Sequence, residues 1–245
     1  MASWRIGGVS FGVGDPLTAG LAQDPAVELV RAVPTALIRD LRAGILDAGL
    51  VSSIEAFRRP GYTALGELGV ACRGAVRTVR AFWRRGVPIR RVGIDSGSES
   101  SAALLRILLA RRPDARDCVL EPITPTEQPD RLPHDLVLLI GDTGLRADPG
   151  PREVWDLGEE WYAWTGLPFV FALWLIRPGV DPAPIAAALR AGRARARTLP
   201  RPSTAPASIH HDLGPADRQG LLRFHAEAAA LGLARPDLAP TFLDP

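Results

Sequence analysis

Lysine is missing altogether: every one of the 29 basic residues in this 245-residue chain is arginine. That excludes a lysine Schiff-base nucleophile and the lysine of a phosphate-binding loop. Cysteine is nearly absent too. Cys72 and Cys118 are too far apart in sequence to form a zinc ribbon or a Cys-x-x-Cys redox pair. Of the 4 histidines, His210 and His211 are adjacent and His134 and His225 stand alone. None has metal-site spacing, so neither a metal nor a cofactor is expected. Net charge is also small. The 29 basic and 27 acidic residues leave +2, so a pI of 8.9 gives little support to a nucleic-acid partner. No apolar run approaches the roughly 18 residues that span a bilayer. The longest, Leu167 to Ile176, starts at a Gly-Leu-Pro turn. Met1 to Arg5 runs into a strand-like segment without an apolar leader, so no membrane association and a cytoplasmic location are expected. The lack of lysine beside abundant Ala, Arg and Pro reads as the imprint of a GC-rich genome rather than of function.

What is present is ordinary globular material, 47% hydrophobic and 23% charged. A chain this long buries about 70% of its unfolded surface and needs no covalent staple. Strand and helix signals alternate. Trp4 to Phe11 reads as a strand ending in a glycine-rich loop, Gly12 to Pro16, and Val27 to Val33 reads as a second strand. Pro34 opens a helix in which Leu37, Ile38, Leu41 and Ile45 keep helical spacing. Asp47 to Ser53 is a short buried strand, and Leu68–Cys72 and Ala75–Phe82 read as two more. A second unit is expected from Arg91: strand Val92–Asp95, helix Ala102–Leu109, strands Cys118–Ile123, Asp135–Ile140 and Pro168–Ile176. An Ala/Arg-rich helix, a Pro/Ser linker from Pro200 to Ser208 and a helix near Pro215–Leu231 close the chain. Strands separated by helices imply mixed, mainly parallel sheets. The expectation is an α/β fold of two lobes facing each other across a cleft. Residues 1–90 plus 171–245 form one lobe and the inserted residues 91–170 form the other.

Parallel sheets place ligand-binding groups at strand carboxyl ends, and here those ends are rich in Ser, Thr and Gly. Asp95-Ser96-Gly97-Ser98-Glu99-Ser100-Ser101 joins a strand to a helix, so free N–H groups and hydroxyls make either a neutral anion site or an ordinary cap. Val51-Ser52-Ser53-Ile54-Glu55 and Gly141-Asp142-Thr143 are two further polar strand ends. Arg73 beside Gly74 reads as a solvated arginine or as a carboxylate ligand. Trp155, Trp161 and Trp164 read as core packing in preference to a stacking platform, and Arg190 to Arg197 as a solvated helix face.

Several strings resemble the chorismate dehydratase family. They are Arg5 to Phe11 followed by Pro16-Leu17; Val51 to Glu55; Arg73 to Val79; Asp95 to Ser101 with Ala103 to Arg106; Leu139 to Asp142; and Asp156 to Trp161 with Trp164 to Val170. They occur in family order up to about Pro178. The resemblance implies a type 2 periplasmic-binding-protein fold without export. It also implies dehydration of chorismate to 3-(1-carboxyvinyloxy)benzoate at the start of the futalosine route to menaquinone. A sister enzyme that makes 1,4-dihydroxy-6-naphthoate carries a Pro-Cys-Pro-Asn-Asp string and relies on a histidine, and neither appears in the matching region. A non-catalytic binder of a small carboxylate on the same fold is the competing class. Under this resemblance Ser10, Ser53, Thr78, Ser96, Ser98, Ser100, Ser101, Gly141 and Thr143 bind the substrate, and the double change Ser100→Ala and Ser101→Ala is expected to weaken that binding while sparing stability. Glu55 or Asp142 is the candidate acid or base, or the substrate's own enolpyruvyl carboxylate serves as base. Two positions depart from the family. Val13 stands where an asparagine reaches the substrate, so Asp15 or the loop backbone would have to supply that donor, and Ser52 replaces a proline.

Overall fold

A computed structural model describes residues 3–115, 117–199 and 206–243. Most of the expected linker from Pro200 lies outside them. In chain order the strands are β1 (Trp4–Val9), β2 (Val27–Ala32), β3 (Ala48–Ser52), β4 (Thr63–Cys72), β5 (Val79–Trp83), β6 (Arg91–Asp95), β7 (Val119–Ile123), β8 (Leu136–Ile140), β9 (Glu153–Asp156), β10 (Phe169–Ile176), β11 (Ile209–Asp212) and β12 (Thr241–Leu243). The helices are α1 (Asp15–Thr18), α2 (Pro34–Arg42), α3 (Glu99–Ala110), α4 (Gly141–Arg146), α5 (Leu157–Thr165), α6 (Pro182–Thr198) and α7 (Pro215–Ala230).

The strands form two sheets. One runs β11-β4-β10-β3-β1-β2 with β12 beside β4, and the other runs β7-β6-β8-β5-β9. The near-continuous apolar runs β3, β8 and β10 are buried along their whole lengths, as strands covered on both faces must be. Among the described residues the pairings divide evenly, 5 parallel and 5 antiparallel, so the sheets are more mixed than expected. The antiparallel pairs all involve β5, β10 or β11, and β5 and β10 are the strands that follow the two changes of sheet.

The chain leaves the first sheet earlier than the boundary expected near Arg90. β5 pairs with β8 and β9, so the crossing lies between Cys72 and Val79. No helix separates β4 from β5, so strand-like residues alone could not say which sheet Ala75–Phe82 joins. The backbone makes the change through Gly74 (φ +84°) and Arg77 (φ +61°), the one non-glycine residue with positive φ among those described. The Asp156 carboxylate stabilises that conformation, accepting N–H from Val76 (2.8 Å) and Arg77 (2.6 Å) while also capping α5 through Gly158 (3.0 Å) and Glu159 (3.1 Å). Gly158 has to be glycine, because a Cβ there would lie 2.7 Å from both Cys72 Sγ and the Gly74 carbonyl. The return crossing enters β10 at Phe169, which pairs with Cys72.

Trp161 is fully buried, edge-on to Trp164, Phe169 and Phe224, and donates Nε1–H to the Pro168 carbonyl at 3.2 Å, so its role is core packing. The arginines of α6 do not form a free basic face. Arg190 pairs with Glu67, Arg195 with Asp24, and Arg193 and Arg197 with Asp212.

Candidate active site

The carboxyl ends of β1, β3 and β8 and the amino ends of β5, β10 and β11 converge on a cavity of about 60 Å³. Its wall is Val9, Phe11, Val13, Pro34, Ser52, Val70, Val76, Thr78, Val79, Ser98, Ser101, Ile140, Gly141, Phe171, Ala172 and Ile209. The polar side chains on this wall are all hydroxyls: Ser52, Thr78, Ser98 and Ser101. No ionisable side chain lines it among the described residues.

Secondary structure sorts the expected site residues. Ser98 caps α3 and Ser101 lies three residues on, one helical turn away, so both reach the cavity. Thr78, in the crossing, and Gly141, after β8, also line it. Gly141 has φ +59°, and the Phe11 ring lies where its Cβ would be, 2.6 Å from the nearest ring carbon, so an aromatic ring roofs the cavity there. Ser53 and Ser100 are fully buried but turn away from it. Ile54 N–H donates to Ser100 Oγ (3.2 Å), and Ser53 Oγ donates to the Val170 carbonyl (2.6 Å). The Ser100 hydroxyl is therefore left to donate to Ser53 Oγ at 3.0 Å. Every proton in this relay is used, and it ties the turn after β3 to α3 and β10. Ser10 and Ser96 are exposed, and Ser96 faces a separate groove with Arg58 and Arg106 on the other side of α3. Thr143 and Asp142 lie in α4, half-buried and away from the cavity wall.

Glu55 is likewise outside the cavity. It is fully buried and bidentate to Arg42 (2.8 and 2.5 Å), and it accepts the Tyr62 hydroxyl at 2.9 Å. Burial, followed by the Glu55 charge, pushes the Tyr62 phenol far up, while the Glu55 hydrogen bond raises Arg42. Neither expected acid–base residue is placed to meet a ligand in the cavity. Asp95 acts as a brace. Its carboxylate accepts N–H from Gly97 (3.0 Å) and Ile140 (3.4 Å), aligning the start of α3 with the Gly141 turn, and burial raises its pKa.

The Val13 loop is held from behind. His211 Nε2–H donates to the Val13 carbonyl at 2.8 Å, and Gly14 N–H is consumed by Phe11 O at 2.9 Å. Asp15, one of the alternatives for the donor missing at Val13, points out to Arg31 (3.0 Å). The sequence reading missed Phe11, Phe171, Ile209 and Ser52 as wall residues. Only Ser52 carried a signal, as the first serine of the Val51–Glu55 string. No group of three or more His, Cys, Asp or Glu side chains fit to hold a metal occurs among the described residues. No helix there is long and apolar enough to cross a membrane.

Comparison with known proteins places this geometry. A structure of the protein AF1704 from Archaeoglobus fulgidus aligns with TM-score 0.66 at 14% identity, covering 94% of this chain and 98% of that one. The periplasmic aliphatic sulphonate binding protein SsuA from Escherichia coli aligns with TM-score 0.58 at 15% identity, covering 97% and 95%. These likenesses establish a two-lobed, binding-protein-like fold. In sequence, the chorismate dehydratase of Thermus thermophilus is 30% identical, over 87% of this chain and 89% of its own length. Residues 5–206 match the menaquinone biosynthesis family. The chain is thus a homologue of chorismate dehydratase and belongs to the menaquinone biosynthesis family.

Proposed function

We propose that this protein dehydrates chorismate to 3-(1-carboxyvinyloxy)benzoate, with the substrate supplying its own base. The observation that carries the reading is the cavity wall, which offers hydroxyl donors and no ionisable side chain among the described residues. Chorismate has two carboxylates, a C3 proton and a C4 hydroxyl. Hydroxyl and backbone donors at strand and helix ends stabilise the carboxylates without lysine. With Glu55 committed to Arg42 and Tyr62, and Asp142 off the wall, the enolpyruvyl carboxylate is the group left to accept the C3 proton. The C3–H electrons form the new ring double bond as the C4–O bond breaks, and the transferred proton leaves on that oxygen as water. The dianion becomes an aromatic dianion plus water, so neither oxidant nor cofactor is needed. Apolar residues around the ring exclude bulk water and strengthen each hydrogen bond. Thr78 and the α3 serines bind substrate in this reading, the futalosine route is its pathway, and the cytoplasm is its location.

Purified protein mixed with chorismate should release the aromatic product and water, followed by absorbance and mass. Chorismate that binds but persists unchanged for hours supports the binding-protein alternative instead. Product formation lost in Glu55 or Asp142 variants that remain folded would overturn the self-supplied base.

A further inference from the structure

The proton bookkeeping at the start of α3 singles out Ser52, which none of the expected site roles included. A serine oxygen accepts two hydrogen bonds and donates one. Ser98 Oγ already accepts from Ser101 N–H (3.4 Å) and from the Ser101 hydroxyl (3.0 Å), so it is full as an acceptor. Its own proton has Ser52 Oγ at 3.5 Å. Ser52 Oγ in turn accepts from Glu99 N–H at 3.1 Å, and with Ser98 its two acceptor sites are filled. The Ser52 proton is left over. No protein acceptor takes it among the described residues, although Ser52 is only 1% exposed and lines the cavity. The contrast with Ser53 is direct, because the Ser53 proton ends on the Val170 carbonyl. A buried hydroxyl proton without a partner is costly, and here it sits at the end of the chain Ser101 to Ser98 to Ser52. Each bond in that chain polarises the next, and the positive end of α3 feeds it.

We propose that Ser52 is a substrate-binding residue whose hydroxyl is the terminal donor of this chain, given to a carboxylate oxygen of the ligand. The inference deepens the dehydratase reading and rests on it for the ligand's identity. β3 fixes the side chain, since Ser52 is its last residue and pairs with cavity-lining Ala172 on β10.

The test uses the full chain with two probes, isophthalate, an aromatic dicarboxylate, and its neutral dimethyl ester, followed by calorimetry beside chorismate turnover. Ser52→Ala should weaken isophthalate tenfold or more, shift diester binding less than threefold, and raise the KM for chorismate more than it lowers kcat. Ser52→Thr, which keeps the hydroxyl, should stay within threefold of the parent. Should Ser52→Ala fail to fold, Ser52→Cys carries the same expectation, since a thiol is a weak donor. Unchanged isophthalate affinity, or an equal loss for the diester, overturns the role by showing that shape rather than a donated proton was removed. Ser52-dependent isophthalate binding without chorismate turnover keeps Ser52 as a carboxylate donor and ends the dehydratase reading. Failure of both probes and of chorismate to bind overturns both.

Discussion

Two regions a few residues apart use polar chemistry in opposite ways. The seam behind α3 spends charges and fully paired hydroxyls: Glu55 with Arg42 and Tyr62, Arg58 with Glu99, and Ser53 with Ser100. The cavity in front of α3 holds hydroxyls alone, with the Ser52 proton unspent. An ion pair removed from water is tolerated only when both partners and their hydrogen bonds are present, so it suits a permanent joint. An anionic ligand that comes and goes is better met by neutral donors, which need no countercharge when the cavity is empty. The difference predicts that seam variants lose stability and cavity variants lose affinity.

The largest expected effect is at the joint. Glu55→Gln leaves Arg42 facing a buried amide and should cost about 2–3 kcal/mol in chemical denaturation, less than for a wholly buried pair because the Arg42 side chain is 33% exposed. A loss under about 1 kcal/mol, with turnover abolished, would move Glu55 from the seam to the chemistry. Next come the two serines first grouped as one anion site. Ser100→Ala breaks the relay to Val170 and should lower stability by about 1–3 kcal/mol. Ser101→Ala should instead act on chorismate affinity, and identical profiles for the two variants would erase the distinction between seam and cavity. A smaller change is expected at Val13. Adding an amide donor to the wall by Val13→Asn should raise turnover by up to about tenfold, and a neutral or harmful outcome shows that Ser52 and the α3 end suffice.

The smallest effect concerns the His210–Asp217 pair (2.7 Å) beside the cavity. The Asp217 hydrogen bond raises the His210 pKa. Burial pushes Asp217 up, but the hydrogen bonds from His210 and the Gly214 N–H, with the nearby positive charges, together hold it below its usual value. The histidine contribution is therefore complete below pH 6.5 and disappears as pH climbs past the raised value. The aspartate contribution is complete above pH 3.8 and disappears as pH falls past the lowered one. The difference in stability between parent and His210→Gln should be largest between pH 3.8 and 6.5 and shrink as the pH rises above that range, at about 1 kcal/mol or less after solvent screening. A difference independent of pH would show that the pair carries no net charge interaction.

Much of this molecule was legible from local pattern. The buried runs of β3, β8 and β10 and the cap within Asp95–Ser101 follow from residue type and spacing, because they depend on neighbours a few positions away. The family strings likewise fixed the relatives. What local pattern could not decide was direction. Ser52 and Ser53 are adjacent serines, and Ser100 and Ser101 are too, yet one of each pair faces the ligand space and the other the seam. Glu55 read as an acid–base candidate until the fold placed Arg42, thirteen residues away, against it. The sheet to which β5 belongs depended on a carboxylate, Asp156, eighty residues beyond Val76. Local pattern by itself determined most of the longer strands and helices and the polar strand ends from which the site is built. Only the tertiary structure decided which hydroxyls still have a proton to give, because a hydrogen bond is assigned by what lies within about 3 Å, and that depends on the whole packing.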